Sequence, residues 1–312
     1  MKSRSNEIRR ARPLLGTLVE IGAVGANAAA GVDAAFREIE IIHRLMSFHE
    51  ENSDVSHINR AAPGKTVRVD PRTYEVLECA QWMSRLSAGA FDITIGGRLV
   101  EAGFLPRPHG AAAFDRKASF KDLLLLPDNF VTLTKRAWID LSGIAKGYAV
   151  DRAVQVLKKT GVTSGIVNAG GDLSVFGQPQ PIHIRHPETA SLVLPLGPFS
   201  NAAIASSSGF FTAQRHNDAL VEPRRGACVK WRQGVTVIAM RCMIADALTK
   251  IVRLVPRRAP QILEQFNALA LVVDRRGVRC SVQLRSSSDP TCGNAFRSSI
   301  RPEPRCHSVA PR

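Results

Sequence analysis

Apolar positions recur along this chain in two periods, and the switches between them mark out its elements. Between residues 28 and 48, Val32, Phe36, Ile39, Ile42 and Met46 share one face at helical spacing. This predicts an amphipathic helix with Asn27 as its N-cap. Asp70 followed by Pro71 opens a second helix, a capping residue and then proline at the first helical position. Val76, Leu77, Ala80 and Met83 carry that helix to Ser87. The polar stretch 49–59 between them is rich in capping residues and reads as a turn and a short helix. A period of two, with Thr17, Val19 and Ile21 set against Leu18 and Glu20, predicts a first strand over residues 12–22. Residues 123–126 and 130–133 read as a hairpin around Pro127-Asp128-Asn129. Residues 89–97 read as an extended piece closed by paired glycines, and 106–120 as a surface loop. Further on, strands are expected at 181–184, 192–196, 201–208, 235–239 and 269–273, and helices at 242–250 and 259–266.

The stretch from Trp138 to Gly177 holds the densest chemistry. A glycine-bearing turn, Asp140 to Gly147, opens a helix whose apolar positions Ala149, Ala153, Val156 and Leu157 recur at helical spacing. Lys158, Lys159 and Gly161 end it. A buried strand over 164–167 then delivers Asn168-Ala-Gly-Gly-Asp172 as a loop. Backbone N–H groups without a Cβ in the way can cradle phosphate, and carboxylates beside them can orient a hydroxyl or a metal. Read alone, the same residues serve equally as a helix stop and a tight turn.

At 312 residues the chain can bury one large core or two ordinary ones, and 45% hydrophobic with 6% aromatic content suits a soluble α/β or α+β enzyme. The net charge of +15 suggests nucleic acid until it is placed along the chain, where ten of the fifteen charges fall in residues 1–12 and 275–312. A stacking stripe of aromatics, a recognition-helix pattern and zinc spacing are all missing, so a basic nucleic-acid-binding protein is the weakest reading. Six scattered cysteines without C-x-x-C spacing fit a reducing compartment. No export signal is visible ahead of the first strand, which predicts a cytoplasmic protein, or a periplasmic one if the N-terminus is truncated.

Several separated motifs together resemble the FAD:protein FMN transferase (ApbE) family, in the family's order and over roughly residues 12–276. Leu15-Gly16-Thr17 resembles its Met-Gly-Thr. Met46-Ser-Phe-His-Glu-Glu-Asn-Ser-Asp-Val-Ser-His-Ile-Asn59 resembles M-S-x-Y-x-x-x-S-x-x-S-x-x-N, with His49 in the place of the tyrosine. Ala90-Phe91-Asp92 with Thr94 resembles A-F-D-x-T, and the stretches Asp140 to Asp151 and Asn168 to Asp172 match nearly position for position. The resemblance implies an α+β fold: a single body of mixed sheets with helices packed on their faces over residues 12–276. Charge and composition add a basic tail at 1–11 and a basic, disordered tail at 277–312, the latter Ser-, Arg- and Pro-rich with little apolar content. The resemblance further implies Mg²⁺-dependent transfer of FMN from FAD to a Ser or Thr hydroxyl of a partner protein, with release of AMP. Leu15, His49, Ala90, Phe91, Asp92, Asp140, Lys146 and Leu220 would contact FAD, and the Gly143 carbonyl, Asp246 and Thr249 would hold Mg²⁺. No residue is singled out as the catalytic acid or base.

Two departures bear on that expectation. Where the family has His-Ile-x-Asp-Pro-x-Thr-Gly, this chain has Ala219-Leu-Val-Glu-Pro-Arg-Arg-Gly226, which removes a titratable group; His216 lies three residues earlier. The family also places its metal-binding aspartate and threonine four apart, whereas Asp246 is followed by Thr249 at three and Lys250 at four. Both spacings share a helix face, so either side chain can meet the aspartate. Two alternatives therefore stay open, an FAD-binding paralogue that has lost transfer and a pyrophosphatase that cleaves FAD to FMN and AMP.

Overall fold

The structure is a computed structural model that describes residues 7–189, 191–208, 220–229, 233–274 and 277–280. It opens with a hairpin, β1 (Glu7–Leu14) against β2 (Thr17–Val24), rather than the single strand expected over 12–22. The reason is local: Leu15 and Gly16 take left-handed φ values of 56° and 70°, which reverses the chain within two residues. Pairing therefore reaches back to Glu7, into the segment expected to be a basic tail. Arg12 lies over the Phe36 ring at 4.6 Å and donates to Glu40 at 3.0 Å, so its charge is spent on the fold.

The chain continues through α1 (Ala28–Met46), α2 (Asp54–Arg60), β3 (Val67–Arg68), α3 (Pro71–Leu86) and α4 (Gly96–Glu101). Strands β4 (Leu123–Leu126) and β5 (Phe130–Leu133) follow, then α5 (Ala145–Lys159), β6 (Ser164–Ala169), β7 (Asp172–Phe176), β8 (Gln180–Arg185), β9 (Val193–Phe199) and β10 (Ala202–Ser207). The last elements are β11 (Val221–Glu222), β12 (Ala227–Cys228), β13 (Gly234–Ala239), α6 (Cys242–Leu254), α7 (Ala259–Gln265), β14 (Leu269–Asp274) and β15 (Gly277–Cys280).

Eight strands form one antiparallel sheet in the order β1-β2-β6-β7-β10-β13-β14-β15. Helices α1, α5 and α6 cover one face, where Phe36, Ile39, Leu157, Leu248 and Ile251 meet Val19, Ile21 and Val237 in one apolar core. The β8–β9 hairpin covers part of the other face through Ile182, Ile184 and Leu196, which pack on Leu173, Val175, Ile204 and Leu271. Every residue of β7 is buried, which explains why it reads without alternation. A mixed α+β body results, with helices packed on sheet faces.

Other expectations hold or shift for local reasons. Asp70 caps α3 by accepting from Arg72 N, and α5 ends as predicted at Gly161 (φ 83°), with Val162 N donating to Leu157 O at 3.1 Å. Asn27 does not cap α1; its side chain donates instead to Thr160 O at 3.1 Å. The paired glycines Gly96 and Gly97 begin α4 instead of closing an extended piece, and they are small for packing: a Cβ on Gly96 would lie 2.5 Å from Trp138 O and one on Gly97 2.5 Å from the Phe114 ring. The loop expected at 168–172 is a tight hairpin turn, with Gly170 and Gly171 at φ 65° and 101° and Asp172 already in β7. The tail expected from residue 277 begins as β15; residues 281–312, like His216 and Ala219, lie outside the described residues. Among the described residues no helix is long and apolar enough to cross a membrane, and Cys79, Cys228 and Cys242 are free thiols.

Candidate functional site

The polar motif ending at Asn59 builds the wall of the site. Ser53 caps α2 by accepting from Ser56 N at 3.0 Å, and its hydroxyl donates to Ser47 O at 2.7 Å. Ser56 donates to Glu50 O at 2.7 Å. Asn59, buried, uses both ends of its amide on one residue: Nδ2 donates to Ile139 O at 3.0 Å and Oδ1 accepts from Ile139 N at 2.6 Å. This imitates a neighbouring strand and fixes the backbone one residue before Asp140. On the far side Asp140 N donates to Ile93 O at 2.8 Å, and Ile95 bridges Trp138 in parallel. The segments holding Asp92 and Asp140 thus run side by side, although 48 positions separate them.

Their carboxylates differ in use. Asp92 accepts from Thr94 N at 2.8 Å, Thr94 Oγ1 at 2.7 Å and Phe120 N at 2.9 Å, so both oxygens are engaged with its own surroundings. Burial still pushes its pKa up against those bonds. Asp140 accepts from Ser142 Oγ at 2.5 Å and Ser142 N at 3.3 Å. Burial raises its pKa as well, while Ser142 and the charges of His49 and Lys146 pull the other way. Phe91 stands over Gly143, its ring edge 3.7 Å from where a Cβ on that glycine would lie.

The centre of the site is the crossing of α5 and α6, where each helix caps the other. Asp151 of α5 accepts from Cys242 N at 2.7 Å and Met243 N at 3.0 Å, taking up two free donors at the start of α6. Asp246 of α6 accepts from Gly147 N at 3.1 Å, in the first turn of α5. Such an approach requires Gly147, because a Cβ there would lie 2.3 Å from Cys242 O and 2.6 Å from Cys242 C. Burial raises the Asp151 carboxyl to about 6 despite its two N–H partners. The Cys242 thiol is held far above its ordinary value by burial and by Asp172 and Asp151, which leaves it inert as a nucleophile.

Four ionic side chains gather at this crossing. Lys146 is paired with Asp172 and lies 3.9 Å from Asp246 Oδ2. Lys250 is paired with Asp246 Oδ1 and also donates to the Asp246 carbonyl at 3.1 Å. Burial opposes the Lys146 charge, yet Asp246 and Asp172 hold the ammonium protonated well above its usual range. Burial and the Asp246 charge push Asp172 up, against the pull of Lys146. For Asp246 burial also pushes upward, but Lys146, Lys250 and the Gly147 N–H together hold it below its ordinary value. The Gly170–Gly171 turn that delivers Asp172 sits against Thr17, whose Oγ1 would be 2.3 Å from a Cβ on Gly170. The Leu15-Gly16-Thr17 turn is brought there because β2 pairs with β6, Val19 opposite Ala169.

The set expected to hold Mg²⁺ does not fit a divalent ion in this arrangement. Lys250 occupies one Asp246 oxygen and the Gly147 N–H the other. Thr249 Oγ1 turns away to its own helix, donating to the Asp246 carbonyl at 2.7 Å. Lys146 and Lys250 offset Asp172 and Asp246, so the one carboxylate expected to bind Mg²⁺ is already engaged by a cation.

Of the residues expected at the flavin, Phe91, Asp92, Asp140 and Lys146 border one region with Gly143 and Asp246. Ala90 precedes them, half-buried, and His49 is exposed within electrostatic reach of Asp140. Leu15 is half-buried at its turn. Leu220 is buried at the base of the β11–β12 hairpin, where its carbonyl accepts from Val229 N at 2.8 Å. In that hairpin Glu222 accepts from Arg224 N and Arg225 N at 3.2 and 2.8 Å, so it serves its own turn. Arg224 donates to Ala88 O at 2.9 Å and closes a cleft of about 860 Å³ lined by Asp92, Thr94, Arg85, Arg98 and Lys117. Sequence reasoning singled out the acidic turn that Asp172 ends without giving that residue a partner, and did not assign Asp151 or Asn59 to the site, although all three end quoted motifs; their partners lie 26, 91 and 80 positions away.

An antiparallel sheet under crossed helices, with glycine turns and paired lysines and aspartates at the crossing, defines an α+β protein with a charged site at the crossing of α5 and α6. The sequence profile of the ApbE family matches residues 15–273, and the chain belongs to that family. It is 27% identical over 193 residues to an FAD:protein FMN transferase of Treponema pallidum, covering 56% of this chain and 53% of that protein. Identity is 26% to the Vibrio cholerae serotype O1 protein of the same name (68% and 69% covered) and 25% to the Haemophilus influenzae one (75% and 75%). The chain thus spans about half the length of the Treponema relative and more of the other two. Among solved structures, the flavin transferase ApbE of Vibrio cholerae superposes with a TM-score of 0.76 at 23% identity, over 88% of this chain and 96% of that one. The ApbE protein of Thermotoga maritima gives 0.75 at 27%, over 88% and 97%.

Proposed function

We propose that this chain is an FAD:protein FMN transferase. In the reaction a Ser or Thr hydroxyl of a partner protein attacks the FMN-side phosphorus of FAD. The new P–O bond forms as the bond to AMP breaks; AMP leaves with the electron pair and the hydroxyl proton is released. Charge must be neutralised on the diphosphate and the nucleophile held in line, with little covalent work by the protein. The observation that carries the reading is the group of half-buried Lys146 and Lys250 on buried Asp172 and Asp246 beside two glycine turns, with Lys146 kept charged by its neighbours. In this proposal Lys146 faces the diphosphate and Asp140 with Ser142 orients the nucleotide. Ala90, Phe91 and Asp92 line its path toward the basic cleft, while Leu15, His49 and Leu220 border the flavin. Mg²⁺ at Gly143, Asp246 and Thr249, as the family resemblance implies, would have to displace Lys250, and no step here depends on it.

A second reading, flavin binding without transfer, is favoured by one observation, the Lys250 ion pair on Asp246. Incubation of the purified chain with FAD and a family-type acceptor domain separates the readings. Transfer gives an acceptor band that fluoresces in a denaturing gel, with one AMP per flavin attached. AMP with free FMN and a dark acceptor would identify a pyrophosphatase. Bound, unreacted FAD would identify the binder and refute transfer.

A further inference from the structure

We propose that the Lys250 ammonium is the resident cation of this site, so that the chain engages the dinucleotide's diphosphate with two lysines and no divalent metal. The proposal rests on the flavin-nucleotide reading above and concerns how that site neutralises charge.

Three features of the packing carry it. Lys250 does not extend to solvent: its side chain is 18% exposed and its ammonium is paired with the fully buried Asp246 carboxylate and bonded to the Asp246 carbonyl. Its arm lies along Gly143, with Cε 3.7 Å from where a Cβ on that glycine would be. The ammonium therefore lies in the neighbourhood of both groups that the family resemblance assigns to the metal, the Gly143 backbone and Asp246. Finally, the remaining Asp246 oxygen is taken by Gly147 N, and Lys146 stands 3.9 Å from it.

The charge balance points the same way. Two ammonium groups offset Asp172 and Asp246, so a divalent ion entering this water-poor crossing would meet an Asp246 carboxylate whose charge is already compensated and whose oxygens are occupied. A diphosphate approaching the same place meets two lysines whose side chains are partly exposed, 31% for Lys146 and 18% for Lys250, while the Asp172 and Asp246 side chains behind them are buried. Helix geometry places Lys250 there. At i+4 from Asp246 it shares that residue's face, while Thr249 at i+3 is drawn back to the Asp246 carbonyl.

The test uses the full chain and two readouts that need no turnover. Mg²⁺ is titrated calorimetrically into the protein without nucleotide, and FAD binding is followed by flavin fluorescence in excess EDTA and in Mg²⁺. For the wild type, no Mg²⁺ binding heat and an FAD Kd that differs by less than about twofold between the two media are expected. Lys250→Thr, which frees the carboxylate, should bind Mg²⁺ and lose affinity for FAD in EDTA by at least about tenfold, with recovery on adding Mg²⁺. Lys250→Met, closer in shape to lysine, should behave likewise and guards against misfolding of the threonine variant. Wild type that binds Mg²⁺ as well as Lys250→Met does, or that loses FAD in EDTA, overturns the proposal. If FAD binds under no condition, the flavin reading fails while the Mg²⁺ titration still decides whether Lys250 occupies the cation's place.

Discussion

Gly147→Ala sets two magnitudes against each other. Gly147 lies inside the first turns of α5, where alanine is intrinsically better by about 1 kcal/mol, so propensity alone predicts a more stable protein. The crossing predicts the reverse. A Cβ would sit 2.3 Å from Cys242 O, 2.6 Å from Cys242 C and 2.8 Å from Met243 Cα, and all three belong to backbone that cannot rotate aside. The helices would have to separate by roughly 1 Å, at an overpacking cost of about 1–3 kcal/mol. Separation also stretches the Gly147 N–Asp246 bond, and a hydrogen bond to a charged group contributes about 1.5–3 kcal/mol. After the propensity gain, a net loss of about 1.5–5 kcal/mol remains. In a thermal melt that corresponds to a drop of about 3–20 °C for a domain of this size. FAD affinity should fall with it, because Asp246 and Lys146 move apart. A melting point that is unchanged or raised would refute the close crossing of α5 and α6 as the element that organises the site.

The other expectations are narrower. Asp151 has a folded pKa of about 6 against an ordinary 3.8, so between those values the folded chain keeps a proton that the unfolded chain has lost. Its contribution to stability is present below about pH 4 and falls by about 3 kcal/mol as pH rises through 6. Urea titrations of wild type and Asp151→Asn from pH 4 to 7 should show the wild type losing ground to the variant. The opposite slope would mean that the two N–H bonds outweigh burial. Asn59→Ala strands the N–H and C=O of Ile139 and should cost about 2–4 kcal/mol in urea denaturation. A loss below about 1 kcal/mol would show that water replaces the amide.

What could be read in the sequence, and what could not, follows from the range of the forces involved. Asp70-Pro71, Gly161 and the Gly170–Gly171 turn were legible because capping and left-handed φ values are settled within four or five residues. The first hairpin was missed because Leu15, a residue that disfavours positive φ, makes the turn and is held there by the pairing of β1 with β2. Gly96 and Gly97 read as a stop, but they are small so that Trp138 and Phe114 can approach. Spacing drew attention to Lys250 without deciding its direction, since i+3 and i+4 share a face and only the position of Asp246 under Gly147 selects between them. Asp92 matched its motif fully, yet its carboxylate is spent on Thr94 and Phe120, which no one-dimensional pattern reveals.

In the proposed function the flavin dinucleotide is held at the α5–α6 crossing. A crystal structure of the chain with FAD should show diphosphate oxygens within hydrogen-bond distance of Lys146 and Lys250, beside Gly143, with no metal density between them and Asp246. A diphosphate lodged instead in the basic cleft on Arg98 and Arg224, away from both lysines, would contradict it.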